Sequence, residues 1–263
     1  MAVKNLRLAL LICDTPVPVV VGKYGTYLEI YREYLSKSLA ASDRASVTEF
    51  TLEGYDVVRM QYPKMEDFTG PNPFDGIVIT GSAATAQGPE DWIKTLIGNI
   101  RTWMKEIPQV KIIGICFGHQ IVAQAMGGQC VRNEKGWEIG TTPVQLTEVG
   151  RQIFGANLTD IQIQQMHRDH VPELPPSAEL LASSPIAPVQ GIISRYASGG
   201  IHVLSVQGHP EFSPDIVSKI IDVRESSGIL DAETIKEARI KAAKRDDGIG
   251  LIGQAIWQVL SPS

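Results

Sequence analysis

Long apolar runs are missing from this chain: none approaches the roughly 20 residues that a membrane span requires, so no membrane-embedded role is expected. Excess positive charge is missing too. Lys and Arg number 24 against 29 Asp and Glu, giving a net charge of −5 and a pI near 5.6. That leaves no basic footprint for nucleic acid or for an anionic membrane surface, and neither partner is expected. Cysteine is scarce, with only Cys13, Cys116 and Cys130. An odd count without metal-ligand spacing argues against a disulfide framework and for a reducing compartment, with the cytosol as the default. There is no P-loop, no Gly-x-Gly-x-x-Gly, no internal repeat and no low-complexity linker, so neither a nucleotide cofactor nor a second catalytic domain is expected. The apolar run Leu8 to Cys13 is only six residues long before Asp14, short of the roughly 7–15 of a signal peptide, and reads as a buried first strand.

What is present is ordinary in bulk. Of 263 residues, 43% are hydrophobic and 20% charged, enough to bury a substantial core and to exclude disorder. The informative stretch is Lys111-Ile-Ile-Gly114-Ile-Cys116-Phe117-Gly118-His119-Gln120. Its apolar start reads as a short buried strand, and the run from Gln120 to Met126 as a helix that follows at once. Between them two glycines bracket a cysteine, the pattern of a nucleophile elbow, in which larger neighbouring side chains would collide. At the start of a helix, backbone N–H groups and the positive end of the dipole favour thiolate over thiol. A buried core cysteine is the alternative for an arbitrary Gly-x-Cys-x-Gly.

The residues that decide between these lie in Ile201-His-Val-Leu-Ser-Val-Gln207-Gly208-His209-Pro-Glu211-Phe212. An apolar strand runs into a turn that presents His209 and Glu211 from one strand end. Cysteine chemistry needs such a pair: an imidazole to take and return the proton, and a carboxylate to hold the imidazole.

With both motifs in this order, the chain resembles the class I glutamine amidotransferase family over roughly Asp75 to Phe212, through its Gly-x-Cys-x-Gly-x-Gln and His-Pro-Glu segments. The resemblance implies Cys116 as nucleophile, His209 as base and Glu211 as its orienting group. It also implies an oxyanion hole formed by the amide of Phe117 together with that of Gly81 or Ser82, in the small-residue loop Gly81 to Thr85. Gln120 and the segment His167-Arg168-Asp169 are implied to border the bound glutamyl group, as is Trp137-Glu-Ile-Gly140. The His-Arg-Asp form and Gln207-Gly208 resemble stand-alone members that cleave γ-glutamyl peptides. A metal site built on His167, Asp169 and His170 matches no trusted zinc spacing and is set aside, so no metal is expected. His119 reads as a structural histidine.

The order strand, helix, strand along the chain predicts an α/β fold: a flavodoxin-like doubly wound, mostly parallel sheet with helices on both faces and a C-terminal helical appendix. Residues 1–225 are expected to form the amidotransferase-like domain, with 226–263 as helices packed on it. Val19-Val20-Val21 reads as strand or loop lining, Asp56 to Met60 as a short strand, and Thr141 to Leu146 and Ile161 to Gln165 as a half-exposed antiparallel addition. The expected function is hydrolysis of a γ-glutamyl amide through a thioester, on a small-molecule γ-glutamyl substrate and with no cofactor. A glutaminase subunit serving a separate synthase partner is the alternative, and a non-catalytic member that binds or senses through Cys116 is a third reading.

Overall fold

Leu6, Leu8 and Leu10 lie on one side of the first strand, β1 (Lys4–Ile12), and Ala9 and Leu11 on the other, and all five are buried. A strand apolar on both faces needs a covering layer on each side. The computed structural model, which describes residues 3–262, provides both layers.

After β1 come helices α1 (Pro18–Tyr24) and α2 (Tyr27–Ala40), then β2 (Thr48–Asp56), α3 (Glu66–Thr69), β3 (Gly76–Ile79), α4 (Asp91–Glu106), β4 (Lys111–Ile115) and α5 (Phe117–Ala125). The middle of the chain supplies β5 (Val131–Arg132), β6 (Glu138–Leu146), α6 (Glu148–Phe154), β7 (Asp160–His167), β8 (Asp169–His170), β9 (Glu179–Ser183), β10 (Gly191–Arg195) and β11 (Ile201–Val206). The remainder is helical: α7 (Pro214–Ser226), α8 (Ala232–Ala242), a π-helical turn at Gly248–Ile252, and α9 (Gly253–Leu260).

Nine strands form one sheet in the order β2-β1-β3-β4-β11-β10-β9-β6-β7. From β2 to β11 neighbours are parallel, and the succession two-one-three-four-last is the flavodoxin-like doubly wound order. Beyond β11 the pairings are antiparallel. Helices α2, α7, α8 and α9 pack with one face of the sheet and α4 and α5 with the other. In such a sheet the chain reverses its winding between β1 and β3, and the crevice beyond their carboxyl ends is the natural place for a ligand.

Three local expectations are corrected. Val19, Val20 and Val21 are helical, because Pro18 fixes the first turn of α1 and buried Val20 anchors it in the core. Tyr24 at its end donates to Asp215 of α7 at 2.7 Å. Asp56 to Met60 is no strand: the Asp56 carboxylate accepts from the Arg59 amide at 3.2 Å and caps a 3-10 turn over Val57–Arg59, which ends on Met60 at φ 60°. Of the two antiparallel segments, Thr141 to Leu146 does alternate, with Pro143 and Gln145 exposed and Val144 and Leu146 buried, but Ile161 to Gln165 is not half-exposed. Gln164 and Gln165 are each 0% exposed, because α8 covers one face, where the Gln164 amide donates to the Ala242 carbonyl at 3.1 Å, and Gln190 meets Gln165 on the other at 2.9 Å.

Candidate active site

The elbow is built from close approach. A Cβ on Gly114 would stand 2.8 Å from the Gly118 carbonyl oxygen, and one on Gly118 would stand 2.5 Å from that of Ile79, so neither position tolerates a side chain. The left-handed backbone falls on the cysteine itself, with φ 51° and ψ −103° at Cys116. A non-glycine residue held there costs about 1–3 kcal/mol, which the tight β4–α5 packing imposes. Cys116 precedes the first residue of α5 and is 4% exposed, at the wall of a cavity of about 360 Å³.

His209 reaches this point from the end of β11, which pairs with β4 so that Val206 lies opposite Ile115. The His209 amide donates to the Gln164 carbonyl at 2.7 Å, and its ring stacks flat on Phe212 with centroids 4.1 Å apart. Its Nδ1 lies 2.9 Å from Glu211 Oε1, which also accepts from the Tyr31 hydroxyl at 3.1 Å. Burial alone would push the imidazole down, but the Cys116 sulfur and the Glu211 carboxylate beside it outweigh that and lift it to about 10.

Gly81 closes the other side. A Cβ there would stand 2.6 Å from His209 Cε1 and 3.6 Å from Cys116 Cβ, so the loop passes directly over both. Asp14, just past β1, holds that loop: its carboxylate accepts from the Ala83 amide at 2.7 Å and from the Ser82 hydroxyl at 3.3 Å. Ser82 lines the cavity, and Phe117 is fully buried at the first turn of α5, where backbone N–H groups have no partner within the helix.

The residues expected to meet the glutamyl group are also drawn together, though several are already engaged. Gln120 donates to the Asp169 carbonyl at 2.9 Å and to Gln207 Oε1 at 3.2 Å. His167 reaches the wall with its ring held between the Asp169 carbonyl, 3.0 Å from Nδ1, and Glu138, 3.0 Å from Nε2. Burial raises the Glu138 carboxyl, yet His167, Ser184 and Gln190 together hold it below the usual carboxylate range. Arg168 and Asp169 line the cavity with Arg132. His119 is fully buried, with Nδ1 2.8 Å from the Ser205 hydroxyl, and burial pushes it down to about 3. His202 stacks on Tyr196 at 4.7 Å, away from the cavity.

Three residues at the site, Tyr31, Asp14 and Arg224, escape sequence reasoning, and a fourth, Gln207, is read only as part of a motif. Tyr31 looks like one more apolar position on the stripe of α2. Gln207, whose Nε2 lies 3.7 Å from Cys116 Sγ, carries a signal only in its place just before Gly208-His209. Asp14 is an ordinary strand-end acid, and Arg224 on α7 looks like a solvated helix charge. Among the described residues no group of three or more His, Cys, Asp or Glu side chains is arranged to hold a metal ion, and no helix is long and apolar enough to cross a membrane.

A family model described as glutamine amidotransferase class-I matches residues 45–220. A glutamine amidotransferase-like protein of Schizosaccharomyces pombe is 37% identical over 238 residues, which is 89% of this chain and 90% of that one. Gamma-glutamyl peptidase 3 of Arabidopsis thaliana is 31% identical over 243 residues, 87% of this chain and 90% of that one. The fold is shared with the crystal structure of a glutamine amidotransferase from Thermotoga maritima, at a TM-score of 0.68 and 17% identity over 97% of this chain and 98% of that one.

Proposed function

The chain belongs to the class I glutamine amidotransferase family, and from that membership we propose that it is a cysteine hydrolase of γ-glutamyl amide bonds that acts on γ-glutamyl peptides or conjugates. The observation that carries this reading is Cys116 on its strained elbow with the hydrogen-bonded His209–Glu211 pair beside it at the same edge of the sheet. The gamma-glutamyl peptidase name of the Arabidopsis relative supports the substrate class.

The Cys116 sulfur attacks the γ-carbonyl carbon, and the carbonyl oxygen takes the developing negative charge toward the amides of Phe117 and of Gly81 or Ser82. His209 gives its Nε2 proton to the amide nitrogen, the C–N bond breaks, and the amine departs from a γ-glutamyl thioester. A water molecule then passes a proton to His209 and attacks the thioester carbon. The C–S bond breaks, which releases glutamate and restores the pair. Glu211 and Tyr31 keep Nδ1 protonated and the ring turned toward the sulfur.

Glutamate release from a γ-glutamyl dipeptide and from glutamine by the purified chain tests the reading. The dipeptide is expected to turn over faster, with activity lost in Cys116→Ala and on thiol alkylation, while Cys13→Ala and Cys130→Ala keep most of it. The family's description favours a second reading, a glutaminase subunit for a synthase partner. Turnover of glutamine alone, and only after a binding partner is added, would reverse the ranking.

A further inference from the structure

Two cavities meet at the site, and they divide the reacting atoms between them. The one of about 360 Å³ holds Cys116, with Gln120, Arg168 and Asp169 on its polar wall. The second, about 150 Å³, holds His209 instead, and lies at the switch point between the segments that follow β1 and β3. Its lining is largely apolar and includes Val20, Ile30, Phe212 and Ile216. Apolar cavities of about 150 Å³ are large enough to admit a benzene ring.

Thioester formation fixes which part of a substrate goes where. The acyl carbon must reach the sulfur, and the leaving nitrogen must reach the histidine that protonates it. The glutamyl group then occupies the polar cavity and the amine the apolar one. Ser82, Ala83, Met166 and Arg224 line both cavities and form their common border.

Arg224 is the one Lys or Arg side chain on the lining of the apolar cavity. Its guanidinium lies 4.7 Å from the centroid of the Trp137 ring and, among the described residues, has no carboxylate within 4.0 Å. Asp14, the acid on the same lining, is engaged by Ala83 and Ser82. Burial pushes the guanidinium below its ordinary value, only partly offset by the Cys116 sulfur, Tyr27 and Asp14 nearby. The glutamyl carboxylate has Arg132 and Arg168 at hand in the polar cavity, so it does not require Arg224.

We propose that Arg224 binds the α-carboxylate of the departing amino acid, so that the preferred substrates are γ-glutamyl dipeptides with an apolar C-terminal residue. The carboxylate sits one carbon from the scissile nitrogen and so falls at the border, while the side chain extends between Val20, Ile30, Phe212 and Ile216. Planar guanidinium pairs bidentately with carboxylate, a geometry that a point charge does not reproduce.

The inference rests on the γ-glutamyl reading, and its test separates the two. The kcat/KM for γ-glutamyl-leucine is compared with that for γ-glutamyl-3-methylbutylamide, which has the same leaving group without the carboxylate. The wild-type chain is expected to prefer the dipeptide at least tenfold, Arg224→Gln to reduce that ratio at least tenfold, and Arg224→Lys to keep part of it. A wild-type ratio near one, or an equal loss on both substrates in Arg224→Gln, overturns the inference and leaves the γ-glutamyl reading standing. Should Arg224→Gln fail to fold, the wild-type ratio and Arg224→Lys decide. Calorimetric titration of both compounds into Cys116→Ala removes turnover from the measurement. Tighter binding of the dipeptide there, without turnover by the wild type, sinks the hydrolase reading and keeps the role of Arg224. Binding of neither compound sinks both.

Discussion

Tyr31 on α2 and Glu211 beyond β11 are 180 positions apart in sequence, yet the tyrosine hydroxyl donates to the carboxylate at 3.1 Å in the buried core. The same oxygen, Oε1, faces His209 Nδ1, so one carboxylate atom is shared between an orienting donor and the ring it orients. Tyr31 is fully buried, and burial followed by the charge of Glu211 pushes its hydroxyl well above the ordinary tyrosine value, so it remains a donor at every working pH.

Removing that donor should loosen the ring without removing the proton carrier. Hydrogen bonds to charged groups contribute about 1.5–3 kcal/mol, so Tyr31→Phe is expected to lower kcat by about ten- to a hundredfold. His209→Asn should fall by several orders of magnitude and Glu211→Gln by an intermediate amount. Steady-state glutamate release on the three variants checks the order. A Tyr31→Phe enzyme as fast as wild type would mean that the tyrosine only fills space.

Gly81 predicts a different kind of loss. Gly81→Ala adds one methyl group where it would meet His209 Cε1 at 2.6 Å, so the ring or the loop must move. Misplacement of about 1 Å can cost about 100-fold in rate. Activity should fall by about that factor, with the thermal midpoint shifted by only a few degrees. The two measurements together distinguish a displaced base from a damaged fold.

Much of this was legible in the residues. The elbow announced itself because Gly114 and Gly118 sit where the strand and helix backbones touch, a requirement that leaves a spacing in the sequence. Gly208-His209-Pro210-Glu211 did so because base and carboxylate share one turn. The mostly parallel sheet followed from the strand, helix, strand succession along the chain. What stayed hidden depends on contacts between distant segments. Nothing in the stripe of α2 marks Tyr31 as the position whose hydroxyl meets an acid. The polar alternation of Gln162, Gln164 and Gln165 reads as exposure unless α8 is known to return over it. Val19-Val20-Val21 has strand propensity, and it takes the Pro18 start together with docking through Val20 and Tyr24 to make it a helix.

A pH-dependent loss of stability follows from His119. Its folded value is about 3, below the ordinary 6.5, because burial disfavours the charged ring. Between those values the unfolded chain binds a proton that the native state refuses. The contribution of His119 is therefore level above pH 6.5 and falls as the pH drops toward 3, by up to about 1.4 kcal/mol per unit. His119→Gln, which does not titrate, should make the fall of the urea midpoint between pH 6.5 and 5 shallower, with the buried His202, pushed down to about 4, keeping part of the slope. An unchanged slope would place the acid sensitivity elsewhere.

The position of β11 bears on how the chain emerges from the ribosome. It is the last strand made, yet it lies between β4 and β10 in the middle of the sheet, with His209 at its end. Cys116 leaves the exit tunnel 93 residues before His209, a delay of roughly 5–20 s at ordinary rates of synthesis. Throughout that interval β4 is an open edge and the thiol has no imidazole beside it. The thiol and its imidazole can therefore pair only after the final strand has entered the sheet, while α7, α8 and α9, which cover one of its faces, are still to come.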